Sequence, residues 1–270
     1  MSQIFSSLNL QMQFLLVMAG ALSLGSFASL LSYRLIHKQP IIFARSECIN
    51  CGCKLGIKNL IPLFSWIFQC GKCSKCHSKI SLRYPLIELS FLISFLTVYL
   101  VLGRELNLRM MFYFAIAATL IVMCVIDLEE YFIPNSAQYI LATLATILVI
   151  MEGGNNAALI NVKAAFLYAG FGIALWIFFY FTAHLEAIGI DDIKFFFIAG
   201  LMLGTKNFLT FMILSGVFGI VFGALWQKIK KDQTFPFAPA LCLSAFICLL
   251  FDKKINPIDL LGSMLFFQNF

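Results

Sequence analysis

Charge is scarce in this chain of 270 residues, where only 12% are Asp, Glu, Lys or Arg and 61% are hydrophobic. A soluble domain carries about twice that share of charge, so this composition excludes an ordinary globular surface. Thirty phenylalanines exceed what a soluble domain of this size buries, and mean hydropathy is +0.93. Long polar stretches are almost missing; only residues 37–83 form one. No internal repeat is evident, which speaks against a transporter built from duplicated halves. The first apolar run follows an uncharged ten-residue start and lacks a small-residue cleavage site, so an uncleaved first span is expected.

What is present is a series of apolar runs of about 18–20 residues, enough to cross roughly 30 Å of hydrocarbon. The runs predict an all-α polytopic membrane protein with eight transmembrane helices near 10–33, 84–103, 110–128, 136–152, 163–184, 193–204, 208–227 and 236–251. The stretch from Leu260 to Phe270 is a partial ninth span or an interfacial tail. Nine of the nineteen Lys and Arg residues lie between Arg34 and Arg83, and Lys228, Lys230 and Lys231 form a second cluster. With both termini outside, these clusters and Lys194 fall in the cytoplasm, as the positive-inside bias requires. Lys253 and Lys254 vote the other way and are outnumbered. The net charge of +6 therefore reads as topology, not as nucleic-acid binding.

The expected domains are a first transmembrane helix (1–36), a cytoplasmic zinc-binding loop domain (37–83) and a membrane domain (84–270). The loop is too small to fold well on an apolar core alone, so a staple is expected. Six of the nine cysteines lie there, as Cys48-x-x-Cys51-x-Cys53 and Cys70-x-x-Cys73-x-x-Cys76. The pairs Cys48/Cys51 and Cys73/Cys76, separated by 21 residues, have the spacing of a four-thiolate structural zinc site. Cys53, Cys70 and His77 are neighbours able to substitute for a ligand. A cytoplasmic location argues against disulfides. Cys124, Cys242 and Cys248 fall in spans and are read as packing residues.

Two aspartates end long apolar runs, where an ionisable group is costly to keep. Asp127 lies in Ile-Asp-Leu-Glu-Glu-Tyr-Phe-Ile-Pro-Asn and Asp192 in Gly-Ile-Asp-Asp-Ile-Lys. Two carboxylates brought together at low dielectric do not both ionise easily; one holds a proton while the other takes one from water. That is the chemistry an aspartic protease uses. Gly189 is expected to let the backbone approach a partner closely. Glu129, Glu130 and Asp191 are expected to be solvated end-of-span residues. Glu88, a turn inside the second span, is expected to pair with Arg83 or to line the active-site cavity. Lys194 is expected to have a positioning role, and His184 and Glu186 receive none.

The order of motifs resembles the type IV prepilin peptidase family. Gly25-Ser26-Phe27 with Tyr33-Arg34-Leu35 resembles its opening motif, and paired Cys-x-x-Cys knuckles follow in its first cytoplasmic loop. Ile61 to Trp66, Arg83 to Leu89 and Phe235-Pro236-Phe237-Ala238-Pro239 are similar to further signatures, in order. Asp127, seven residues before Pro134, matches the family's first aspartate, and Asp192 its second, in what is usually Gly-x-Gly-Asp-x-Lys. The resemblance implies a membrane aspartic endopeptidase of the bacterial inner membrane. The substrates it implies are type IV prepilins and secretion pseudopilins, cut after a glycine on the cytoplasmic side; the zinc loop is hypothesised to form part of the leader's docking surface. It also implies N-methylation of the new N-terminus from S-adenosylmethionine. Three positions depart from the pattern: Asp191 stands for a glycine, Asn135 for an aspartate and Ser29 for an asparagine. The last lies in the segment associated with methylation and so bears on that second activity. The rival readings are a proton-coupled transporter that uses the paired aspartates, or a non-catalytic assembly protein.

Overall fold

A computed structural model describes residues 9–36, 46–56, 59–183, 188–230 and 235–251. His184, Glu186, Lys231, Lys253, Lys254 and the stretch from Leu260 to Phe270 lie outside the described residues. The described residues form eight helices: α1 (Leu10–Ile36), α2 (Phe64–Phe68), α3 (Arg83–Val101), α4 (Leu108–Glu130), α5 (Asn135–Ala183), α6 (Ile190–Leu203), α7 (Phe208–Lys230) and α8 (Ala238–Phe251). Pairing between extended segments is limited, among the described residues, to two isolated antiparallel bridges. Helices α1, α3, α4, α5 and α7 are long and apolar enough to cross a membrane. In hydrocarbon a helix satisfies its own backbone groups, which is why spans of this composition fold this way. The protein is all-α and polytopic, as its sequence predicts.

One boundary is redrawn. The predicted spans 136–152 and 163–184 are two limbs of α5, broken at Gly154, where φ is 70° and ψ −174°. Only glycine adopts that conformation at little cost. Gln138 on the first limb reaches Asp191 at the start of α6, whereas Asn161 and Gly172 on the second lie beside Leu201 and Phe196. The first limb therefore runs with α6 and the second runs against it, so the chain reverses at Gly154.

The chain divides into two compact units, residues 1–125 and 126–270. In the first, α1 packs against α3 through a stripe of small residues that includes Ala21, Gly25, Ala28 and Ser32. A Cβ on Gly25 would come within 2.9 Å of the Glu88 backbone, so the crossing depends on its absence. Polar groups bridge the same face: Arg83 donates to the Ser29 carbonyl at 2.9 Å and to the Ser32 hydroxyl at 2.8 Å. Asn107 caps α4 by accepting the Met110 N–H at 2.8 Å.

In the second unit, α6 packs against both limbs of α5, with Phe195, Phe196 and Ala199 buried. A Cβ on Gly200 would lie 2.5 Å from the Ala165 backbone, which makes this another contact only glycine permits. Gly204 ends α6 at φ 67°, and its carbonyl accepts the Tyr168 hydroxyl at 3.1 Å. Helix α7 presents Gly219 and Gly223 to Phe237 and Phe235, the residues that lead into α8. A Cβ at 219 would approach the Phe237 ring to 2.7 Å, so these glycines seat the two phenylalanines. In lipid such close packing supplies the attraction that water would otherwise provide.

Candidate active site

Asp127 lies in the last turn of α4 and is 6% exposed. Tyr131, at φ 58°, returns its N–H to the Asp127 carbonyl at 2.9 Å and stops the helix there. The carboxylate has a partner from the far end of the sequence: its Oδ2 accepts the backbone N–H of Ala238 at 2.9 Å. Ala238 is the first residue of α8, where N–H groups have no partner inside the helix and the helix dipole favours negative charge. The Phe235-Pro236-Phe237-Ala238-Pro239 motif thus has a physical task. Its phenylalanines seat on α7, and the amide after them meets Asp127. A proline in the first turn of a predicted helix was the available signal, but sequence does not show which carboxylate the free amide faces.

Asp192 lies in the first turn of α6, half-buried, and accepts the Gly189 N–H at 3.1 Å. Its carboxylate therefore caps its own helix. Asp127, Asp191 and Asp192 are within electrostatic range of one another, so the two predicted aspartates share one neighbourhood. Gly189 differs from expectation. Its backbone (φ −74°, ψ 156°) is extended and open to any residue, so conformational freedom does not explain the glycine.

Asp191 also differs from expectation, for it is not simply solvated. It accepts from Lys194 Nζ at 2.8 Å, and the same ammonium donates to Asn135 Oδ1 at 2.9 Å. Gln138, which sequence reasoning passed over, is buried and donates to the Asp191 carbonyl at 3.1 Å. Glu129 and Glu130 are exposed, as expected.

In the first unit Glu88, 7% exposed, accepts the Leu63 N–H at 2.7 Å. It thereby fastens the loop segment before α2 to α3, a partner that sequence reasoning did not foresee. Nearby, Trp66 packs across Gly71 and donates to the Ile80 carbonyl at 3.4 Å.

The two cysteine knuckles are near copies of one another, 25 residues apart in sequence. Cys48 N–H bonds the Cys53 carbonyl at 2.9 Å, and Cys73 N–H bonds the Ser78 carbonyl at 2.9 Å. Gly52 and His77, both at positive φ, return their N–H groups to Cys48 and Cys73. The bridges Glu47↔Lys54 and Lys72↔Lys79 close the two turns in the same register. In that correspondence Cys48 matches Cys73, Cys51 matches Cys76, and Cys53 matches Ser78. The sulfurs of Cys48, Cys51, Cys53 and Cys73 lie within 4.8 Å of one another, and Cys76 Sγ is 3.8 Å from Cys48 Sγ. Such a cluster can hold a metal. The backbone N–H groups of Cys51 and Asn50 hold the Cys48 thiol down at about 6. At Cys51 the Cys53 N–H favours the thiolate, but the Cys53 thiol, burial and the Cys76 and Cys48 thiols outweigh it and push Cys51 up to about 12. Clustered thiols ionise together only with a cation between them. Cys242 and Cys248 are buried in α8, as packing residues should be.

An all-helical membrane protein with a thiol cluster and a buried aspartate at a helix end is the class that fold and site define. Comparison with known proteins narrows it. Residues 19–102 match the family described as Bacterial Peptidase A24 N-terminal domain, and residues 114–224 the Type IV leader peptidase family. A Prepilin leader peptidase/N-methyltransferase of Bacillus subtilis (strain 168) is 31% identical over 239 residues, covering 87% of this chain and 92% of that protein. One of the same name from Legionella pneumophila is 27% identical, covering 81% and 76%. The Type 4 prepilin-like proteins leader peptide-processing enzyme of Escherichia coli O78:H11 is 27% identical, covering 76% and 75%. No solved structure matches the chain significantly. The chain belongs to the type IV leader peptidase family, a family of membrane peptidases.

The pseudo-symmetry of the knuckles makes a prediction about the metal. In purified protein, Cys76→Ser should lose most of any bound metal and lower the melting temperature, while Cys53→Ser should keep both near wild type. Loss of metal in Cys53→Ser with retention in Cys76→Ser, read by elemental analysis, would assign Cys53 as the ligand instead.

Proposed function

We propose that the protein cleaves the leader peptide of type IV prepilins and type II secretion pseudopilins, after a glycine, at the cytoplasmic face of the bacterial inner membrane. The observation that carries this reading is the buried Asp127, held by the Ala238 amide with Asp192 in electrostatic range. Both aspartates are the catalytic residues. The ionised member takes a proton from water, and the resulting hydroxide adds to the scissile carbonyl. The protonated member gives its proton to the carbonyl oxygen, forming a neutral tetrahedral diol. Collapse expels the amine of the mature pilin, which gains a proton as the leader's new carboxyl group forms. The preorganised amide at Ala238 holds one carboxylate in place without a mobile side chain to reorganise during the step.

The same reading extends to a second reaction at the new N-terminus. S-adenosylmethionine, when bound, would supply the methyl group for the freed α-amine. Zinc is the structural metal, held by Cys48, Cys51, Cys73 and Cys76; four protein ligands leave no open position for substrate. Its binding energy is then folding energy for the loop of residues 37–83, set between a first helix (1–36) and the membrane domain (84–270).

The test is processing of a prepilin with a glycine-ended leader by purified protein in detergent with S-adenosylmethionine, read by intact mass. Wild type should release the leader and add the mass of one methyl group in place of a hydrogen. Asp127→Asn and Asp192→Asn should leave the substrate whole; normal cleavage by both would refute the two-aspartate reading. Ala238→Pro deletes the amide donor while proline remains acceptable in a helix's first turn. It should slow cleavage about tenfold or more, as expected for a lost hydrogen bond to a charged group of about 1.5–3 kcal/mol.

A further inference from the structure

The geometry points to a positioning latch, Asp191–Lys194–Asn135, that fixes the start of α6 against the start of α5 and so sets Asp192 relative to Asp127. The inference rests on the catalytic reading of those two aspartates. Lys194 Nζ lies 2.8 Å from Asp191 Oδ1 on its own helix and 2.9 Å from Asn135 Oδ1 at the first residue of α5. Gln138, one turn along α5, ties the Asp191 carbonyl at 3.1 Å. Two side chains of α5 thus grip the first turn of α6 on either side of Asp192's own backbone.

The place of Asn135 in the chain gives the grip its consequence. Asp127 closes α4, Tyr131 breaks the helix, and after Pro134 the next helix begins at Asn135. Asp127, in the last turn of α4, and Asn135, the first residue of α5, therefore flank one short connector, and Asp192 lies next to Asp191. The latch joins the segment that follows Asp127 to the turn that carries Asp192. Within α6 itself, the first turn is ordered by the capping bond from the Gly189 N–H to Asp192 and by the Asp192 and Ile193 N–H groups, which return to the Gly189 carbonyl.

The chemistry of the latch is specific. Lys194 is the single cation, Asp191 supplies the matching charge, and Asn135 supplies a neutral acceptor. A carboxylate at either 135 or 191 reaches the same ammonium, so the charge can be moved between the two positions. The pair is partly solvated, with side-chain exposures of 44% and 35%, and pairs of that kind contribute little to folding. Its removal is therefore expected to act on geometry. A misplacement of reacting groups by about 1 Å can cost up to about a hundredfold in rate.

Cleavage kinetics of a prepilin test the latch. Asp191→Ala should lower kcat about tenfold with KM within about twofold, while helical content by circular dichroism is unchanged. Combining Asp191→Ala with Asn135→Asp should return kcat to within about twofold of wild type, because the counter-charge is restored from the other helix. Lys194→Met should lower kcat as Asp191→Ala does, and adding Asn135→Asp to it should give no recovery. Should Asp191→Ala lose helical content, Asp191→Asn replaces it in the same comparison. Wild-type kcat in the Asp191 variant, or no recovery on moving the charge to 135, overturns the latch. Normal cleavage by Asp127→Asn and Asp192→Asn overturns instead the catalytic reading beneath it. Inactive aspartate variants beside an unaffected Asp191→Ala reject the latch alone.

Discussion

A carboxylate buried at the end of a membrane helix must find a partner or lose its charge, and that constraint organises the second half of this chain. Asp127 finds its partner in the backbone N–H of Ala238, 111 residues away. A backbone donor at a helix start has a fixed direction and carries partial positive charge, so it holds a carboxylate without adding a competing cation. The arrangement demands that α8 begin at one place. Phe235 and Phe237 meet that demand by seating on Gly223 and Gly219, where the missing Cβ atoms leave room for the rings. What reads as a proline-phenylalanine motif in sequence is a strap that delivers one amide.

Close contacts made by glycine recur through both units. Gly25 against Glu88 in the first unit and Gly200 against Ala165 in the second bring backbones nearer than any side chain would allow. Water drives no association between helices in lipid, so contact area and satisfied polar groups must do so. The polar groups are economical in number. Arg83 reaches Ser29 and Ser32 on α1, and Glu88 takes the amide of Leu63. Ser29, which differs from the residue expected there, is held through its backbone carbonyl, and that contact does not depend on its side chain.

Much of the fold was legible because length and hydropathy constrain a span tightly. Helices α1, α3, α4 and α7 fall within a few residues of their predicted runs. The two limbs of α5 were legible as the separate runs 136–152 and 163–184, but the start of the second limb directly after Gly154 was not, since only the backbone conformation marks it. At the site, the two aspartates could be singled out because burial makes charge rare. Their partners could not, since Ala238 acts through its backbone and leaves no mark in residue type. Asp191 and Asn135 stood out only as departures from a pattern; their shared contact with Lys194 needed three dimensions. The cysteines show the same division. Spacing selects the knuckles, but the match of Cys53 with Ser78 comes from the hydrogen bonds that close each turn.

The central claim is that Asp127 and Asp192 act together on one tetrahedral centre. The most direct measurement is binding of a leader peptide whose scissile carbonyl is replaced by a secondary alcohol, an analogue of the tetrahedral intermediate. Transition-state analogues bind at least about a hundredfold more tightly than substrate when the groups that stabilise that state are present. Tight binding to wild type, weakened about a hundredfold or more by Asp127→Asn and equally by Asp192→Asn, is the result this account predicts. Equal affinity for wild type and both variants would contradict it.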